Sequence, residues 1–312
     1  MKHFKICILA AMSAISLSAM AAPAPKTIGI LVPIALPAMD QIVNGFETEV
    51  RATYHGPVTF IVKNAEGNTS IQQSILQEFQ QNKVDIIAPI GTDATQMAAH
   101  MIKDQPIIAI AAEMPKGPNI HNVTNVLDEI SVPKQIDFIH EALPNLKNMV
   151  LIYSDDSRIF ADAAKAVTAA QKNNIKMQKL MIEQLPDLYT VQQHIAPNTQ
   201  AIFVLKDEMV VSGISALVQQ AERNHMAVIA SDDGSVGNGA AFALGVGESD
   251  IGKYSAKAAV KMLNGTPANK IPSYTMTQYS VFINPAAAQK QGIDINALKA
   301  TAKKYDYSVD QL

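Results

Sequence analysis

From Thr27 onward the chain alternates short apolar runs with longer segments of helical period, and this alternation leaves few architectures open. Thr27–Pro33, Val58–Lys63, Val84–Ile90 and Pro106–Ala112 read as strands. Between them lie a helix opened by Pro37–Asp40 (Ile42, Val43, Phe46 and Val50 in helical spacing), a helix over Ser70–Asn82 (Ile71, Ile75 and Phe79 on one face) and a helix over Ala94–Lys103. Asn64-Ala65-Glu66-Gly67-Asn68 is a turn-rich loop leading to Thr69 or Ser70 as a cap, and Thr92-Asp93 is another cap. Strand and helix in strict turn imply a parallel sheet with right-handed crossovers.

Pro115, Gly117 and Pro118 interrupt the pattern, and the segment to Asn125 reads as a loop with a crossing strand. A second cycle follows: helix Val132–Leu143, strand Met149–Tyr153, Ala-rich helix Ser157–Asn173, strand Ile175–Ile182, short helix Val191–Ile195, strand Ala201–Leu205, helix Val210–Asn224 and strand Ala227–Ala230. Ser249–Asn264 is a helix, Tyr279–Ile283 a last strand and Asn296–Tyr305 a terminal helix. Asp85–Ala112 and Gln200–Ser231 share one strand, polar pair, helix, strand order, so two copies of a doubly wound unit would set comparable loops on facing edges with a ligand cleft between them. The fold class expected is α/β: two Rossmann-like lobes with parallel sheets, joined by hinge crossovers.

The stretch Ala227–Gly252 concentrates the polar chemistry. A buried strand, Ala227–Ala230, delivers Ser231, Asp232 and Asp233 at its carboxyl end, where open α/β sheets bind solutes. One of the two aspartates is expected to cap the next helix, leaving the other for a ligand. Other strand ends supply Pro37, Asp40, Asn64, Thr92, Asp93, Tyr153 and Asp207 as candidate site residues. Several carboxylates around one cleft repel each other unless a cation joins them, and a ligand ammonium supplies one. The helix opened by Thr92 and Asp93 offers free N–H groups to a ligand carboxylate. A solute with both groups is an amino acid. Each residue also has a local role open to it: Thr92 and Asp93 as caps, Asn64 as a turn residue, Tyr153 and Phe160 as core, and Lys206 solvated or paired with Asp207.

Lys2, His3 and Lys5, the apolar run Ile6–Leu17 and Ala19-Met20-Ala21 form a secretory leader over residues 1–21, so an exported periplasmic chain is expected, without a lipid anchor because Cys7 precedes the cleavage point. Cys7 is the sole cysteine, which leaves the mature chain no disulfide, thiolate metal site or cysteine nucleophile. Losing Lys2 and Lys5 makes the chain more acidic than its formal −3, and scattered charge of that sign argues against nucleic acid. His55, His100, His121, His140, His194 and His225 show no HxxxH or HExxH spacing, and neither a GxSxG elbow nor a GxxxxGKS/T loop occurs, so no enzyme, metal or cofactor is expected.

The leader, the alternation, and the segments Val84–Ile87, Ile229–Asp233, Gly245-Val246 and Asp250–Gly252 resemble the type I periplasmic solute-binding proteins of ABC transporters, within them the group of tryptophan, tyrosine and phenylalanine binders. The resemblance covers nearly all the mature chain. It implies a two-lobe clamp that closes on one solute and is read by an inner-membrane permease; a monomer is expected. By position it sets Asp232 and Asp207 toward the ligand's polar groups and Thr92 toward its carboxylate, while Asn64 and Gly67 match the loop after the second strand. Two departures fall at the cleft: Leu36 where the group often has His, and Lys206 where it often has Ser or Thr. The lobes expected are 26–124 with 247–277 and 125–246 with 278–312. The function expected is delivery of an amino acid with an apolar or aromatic side chain to an importer; a ligand-sensing subunit for a receptor kinase and a sugar or nucleoside binder of the same fold are the alternatives.

Overall fold

The computed structural model describes residues 24–117 and 119–312; the leader expected at 1–21, with Cys7, lies outside the described residues. Strand β1 (Lys26–Val32) leads into α1 (Pro37–Thr53), followed by β2 (Val58–Asn64), α2 (Thr69–Gln81), β3 (Ile86–Pro89), α3 (Thr92–Met101), β4 (Ile107–Ile110) and β5 (Val123–Leu127). Then come α4 (Val132–Ala142), β6 (Asn148–Ser154), α5 (Ser157–Lys172), β7 (Lys176–Ile182), β8 (Ala201–Val204), α6 (Glu208–Ser212), α7 (Ile214–Arg223), β9 (Ala227–Ala230), α8 (Asp233–Gly237) and β10 (Phe242–Gly245). The chain ends with α9 (Glu248–Leu263), β11 (Tyr274–Thr275), β12 (Ser280–Ile283), α10 (Pro285–Lys290), α11 (Ile295–Lys304) and β13 (Ser308–Gln311).

These strands form two sheets, ordered β11-β5-β4-β3-β1-β2 and β13-β12-β10-β9-β8-β6-β7. Every residue of the central strands β3, β4, β8, β9 and β10 is buried, as expected where helices cover both faces of a parallel sheet. The chain passes from one sheet to the other after β5, after β10 and after β11. We propose lobe boundaries at these crossings, with the first segment running to Leu127, a little beyond the position expected from sequence.

The sheets are not wholly parallel: β12 runs antiparallel to β10, with Ser280 opposite Gly245 and Ile283 opposite Phe242. The reason is the preceding crossing. β11 ends opposite Leu127, at the carboxyl end of β5, so the chain enters the second sheet at the carboxyl edge and must run away from it. Tyr279–Ile283 is also not the last strand, because β13 follows and pairs with β12.

Helix α9 belongs with the first sheet although it follows β10. Gly45 and Gly252 let it lie directly on α1: a Cβ at Gly45 would stand 2.2 Å from the Ser249 carbonyl oxygen, and one at Gly252 2.2 Å from that of Ile42. Only residues without a side chain permit that approach.

Local details differ from the sequence reading where short polar residues compete. Asn68, not Thr69 or Ser70, caps α2, accepting from the N–H groups of Ser70 and Ile71. Ile71 is exposed, and Gln72, Ile75, Leu76 and Phe79 form the buried face. Gly91 precedes α3 with φ of 87°, so Thr92 is the first helical residue rather than a cap. The helix expected over Val210–Asn224 breaks at Gly213, where a Cβ would stand 2.3 Å from the side chain of Leu188 in the 3-10 turn Leu185–Tyr189.

A candidate solute cleft at the facing strand ends

A cavity of about 370 Å³ lies between the lobes. Its walls are the carboxyl ends of strands from both sheets and the helix starts that follow them. Leu36, Met39 and Ile42 follow β1, Ile90 to Thr92 follow β3, and Ala111 and Glu113 follow β4. From the other lobe come Arg158, Ile159, Asp162 and Lys165 after β6, Lys206, Glu208 and Val211 after β8, and Asp232 after β9. Leu127, Asp128 and Glu129 on the first crossing and Glu248 on the second complete it.

The sequence-derived candidates divide on this geometry. Thr92 and Asp232 line the cavity; Pro37, Asp40, Asn64, Asp93, Tyr153 and Asp207 do not. Asp232 is 4% exposed and also caps α8, its carboxylate accepting from the N–H and the hydroxyl of Ser235, both at 2.7 Å. Capping and cleft exposure thus fall on the same aspartate. Asp233 is buried, with Oδ1 unpaired, and burial pushes its carboxyl up to about 6, against the pull of Lys206. The Thr92 hydroxyl accepts from the Glu113 N–H at 3.2 Å.

Asp207 is fully engaged in the fold. One carboxylate oxygen accepts from the Ser154 N–H at 2.6 Å, and the other from the N–H groups of Met209 and Val210, tying β6 to the head of α6. Asn64 makes a turn to the Glu66 N–H at 2.8 Å, and Tyr153 is core, its ring edge-on to Phe160. Pro37 and Asp40 are exposed on the first turn of α1. Asp93 is exposed beside the cleft and reaches Arg158 of the other lobe at 3.4 Å.

Lys206 pairs with neither solvent nor Asp207. Its ammonium donates to Asp128 on the first crossing and to Glu248 on the second, the latter at 3.0 Å. Burial works against the charge, but the two carboxylates outweigh it and hold the amine protonated. The Glu248 carboxyl is held above its ordinary range by burial, against the Lys206 charge and reinforced by Asp128, Asp233 and Asp232. Sequence reading missed Glu113, Asp128, Glu129, Arg158, Asp162, Lys165, Glu208 and Glu248 as lining residues. The signal that could have found them is position: each stands just beyond a strand end or in the first turns of the following helix.

In charge the lining is one-sided. Glu113, Asp128, Glu129, Asp162, Glu208, Asp232 and Glu248 face three cations, Arg158, Lys165 and Lys206. Glu129 is raised by desolvation and then by Asp162, with Lys165 opposing; Glu208 is raised by desolvation, with Arg158 opposing and Asp93 reinforcing. Arg158 keeps its charge against desolvation through Asp156, Asp93 and Glu208. The apolar wall is aliphatic, with no aromatic side chain on it among the described residues.

Two lobes of parallel sheet facing each other across a solute-sized cleft define a binding clamp. The sequence model for ABC transporter substrate binding proteins matches residues 27–305, and the chain belongs to that family. Its members bind a solute for an ABC transporter; they are not enzymes. An uncharacterized protein of Rickettsia prowazekii is 35% identical over 269 residues, 86% of each chain. A tyrosine-binding protein of Clostridioides difficile is 26% identical over 294 residues, 90% of this chain and 84% of that one. In fold, the chain is similar to an ABC domain from Streptococcus pneumonia in complex with L-Trp, with a TM-score of 0.78, 23% identity, and coverage of 88% of this chain and 98% of the other.

Proposed function

We propose that this protein is the exported, periplasmic binding component of an ABC importer and that it holds an amino acid in the interlobe cleft. The observation that carries this reading is the cleft itself: seven carboxylates and three cations around an aliphatic wall, contributed by both lobes and by two of the three crossings. Asp232 and its acidic neighbours suit an α-ammonium. The first-turn N–H groups of α3, which no helix carbonyl can satisfy, suit an α-carboxylate. Met39, Ile42, Ile90 and Ile159 suit an apolar side chain. A wall without aromatic rings favours an aliphatic stem over a stacked aromatic group and offers a sugar no platform. The tyrosine-binding relative and the L-Trp complex support an amino acid as the class.

In this account the free clamp opens and closes about the crossings, and a solute touching both lobes favours the closed form. A monomer would then present one face of both lobes to the permease. Thermal unfolding in the presence of each of the twenty amino acids, several sugars and several nucleosides tests the class. A ligand at 100 times its dissociation constant adds about 2.7 kcal/mol and raises the midpoint. A rise with amino acids is expected; a rise with sugars alone contradicts the proposal.

A further inference from the structure

We propose that the solute carries net positive charge, as an amino acid whose aliphatic stem ends in a second cationic group. This rests on the amino-acid reading and goes beyond it. Each cation on the cleft wall is already taken. Lys206 serves Asp128 and Glu248, Lys165 serves Asp162 at 2.8 Å, and Arg158 serves Asp156 at 2.7 Å and Asp93 at 3.4 Å. Among the described residues, Glu113, Glu129, Glu208 and Asp232 face the cavity with no basic side chain within ion-pair distance. Asp232 is the most telling of them, because it is 4% exposed and receives only the N–H and hydroxyl of Ser235.

The unmatched carboxylates belong to separate neighbourhoods. Glu129 stands with Asp162, Lys165, Glu113 and Asp128, whereas Glu208 stands with Arg158, Asp93, Asp156 and Asp207. Glu208 also reaches across to the first lobe, its Oε1 lying 3.9 Å from where a Cβ on Gly91 would be. Desolvation pushes both glutamates toward the protonated form, and the nearby charges of Lys165 and Arg158 oppose it without reversing it. A neutral zwitterion brings one charge of each sign and leaves the surplus as it was. A solute with a second cation reduces it, and its methylenes can lie along the aliphatic wall while each charged end meets a carboxylate. Without Lys2 and Lys5 the formal charge of −3 becomes −5, and the cleft's seven carboxylates against three cations make up most of it, so the negative surplus is concentrated where it attracts cations.

Calorimetric titration of the mature protein at low salt with L-lysine, L-leucine, L-tryptophan, 1,5-diaminopentane and D-ribose tests the inference. Lysine is expected to bind at least tenfold more tightly than leucine or tryptophan, and Glu129→Gln or Glu208→Gln to erode that preference by about tenfold. Both glutamates are exposed, so the variants keep the fold. Equal or tighter binding of leucine or tryptophan overturns the cationic solute and leaves the amino-acid reading standing. Binding of the diamine with no amino acid bound supports the cation and defeats the amino-acid reading, and binding of ribose alone defeats both.

Discussion

The ammonium of Lys206, at the carboxyl end of β8, donates to Glu248 at the head of α9 across 3.0 Å, and so binds the second lobe to one of the segments that join it to the first. Asp128 on another joining segment accepts from the same ammonium. Replacing Lys206 by Met leaves two largely buried carboxylates facing each other without a cation. Breaking a buried pair costs about 3–5 kcal/mol, and the partial exposure of Lys206 lowers the expectation to roughly 2 kcal/mol. Urea unfolding at neutral pH measures it.

Asp233 supplies a pH dependence with a definite sign. Burial raises its carboxyl from 3.8 to about 6 in the folded chain, so the folded state binds a proton more readily than the unfolded one. The resulting penalty is present above pH 6 and is relieved as the pH falls toward 4. Asp233→Asn is therefore expected to stabilise the protein at pH 7 by on the order of 2 kcal/mol, and by much less at pH 4. Melting midpoints of both proteins across that range test the sign.

The α1–α9 contact leaves no room for a methyl group. At Gly252 a Cβ would meet the Ile42 carbonyl oxygen at 2.2 Å and the Phe46 nitrogen at 2.7 Å, all of it backbone. Gly252→Ala is expected to cost about 2 kcal/mol or more through forced separation of the helices. Gly237→Ala on α8, where a Cβ meets nothing within 4 Å, is the matched control and is expected to be neutral or slightly stabilising. Chemical denaturation compares the pair.

Asp232 has two duties that one substitution can separate. Asn caps a helix about as well as Asp, so Asp232→Asn keeps the start of α8 within about 0.5 kcal/mol while removing the charge that faces the cavity. Its affinity for the solute is expected to fall at least tenfold, since hydrogen bonds to charged groups contribute roughly 1.5–3 kcal/mol. Asp232→Ala is expected to lose the affinity and about 1 kcal/mol of stability as well. Calorimetry with parallel melts distinguishes the two variants.

The alternation of apolar runs and amphipathic helices was enough to read two α/β lobes, because Ile86–Pro89, Ala201–Val204 and Ala227–Ala230 are strands buried on both faces and show in the sequence as unbroken apolar stretches. Tyr274–Thr275 and Ser308–Gln311 lie at sheet edges, are mostly exposed and lack that signature, so they were not legible. Asp232 could be placed because it follows a recognisable strand. Asp128 could not, because Pro115, Gly117 and Pro118 interrupt the sequence pattern and obscure where β5 begins. Asp207 and Lys206 show the limit of position alone: neighbours at one strand end, one is consumed by backbone N–H groups and the other by carboxylates on two crossings. Which contacts a polar side chain makes depends on chain segments far away in sequence.

Hydrogen–deuterium exchange with and without the amino acid that gives the largest thermal rise tests the clamp most directly. Protection is expected in both lobes at once, over 91–95 and 111–113 of the first and 158–162, 206–211 and 232–236 of the second, with 127–129 and 248 between them. Protection confined to one lobe, or centred on the separate cavity lined by Leu143, Gln200, Gln291 and Asp294, would contradict it.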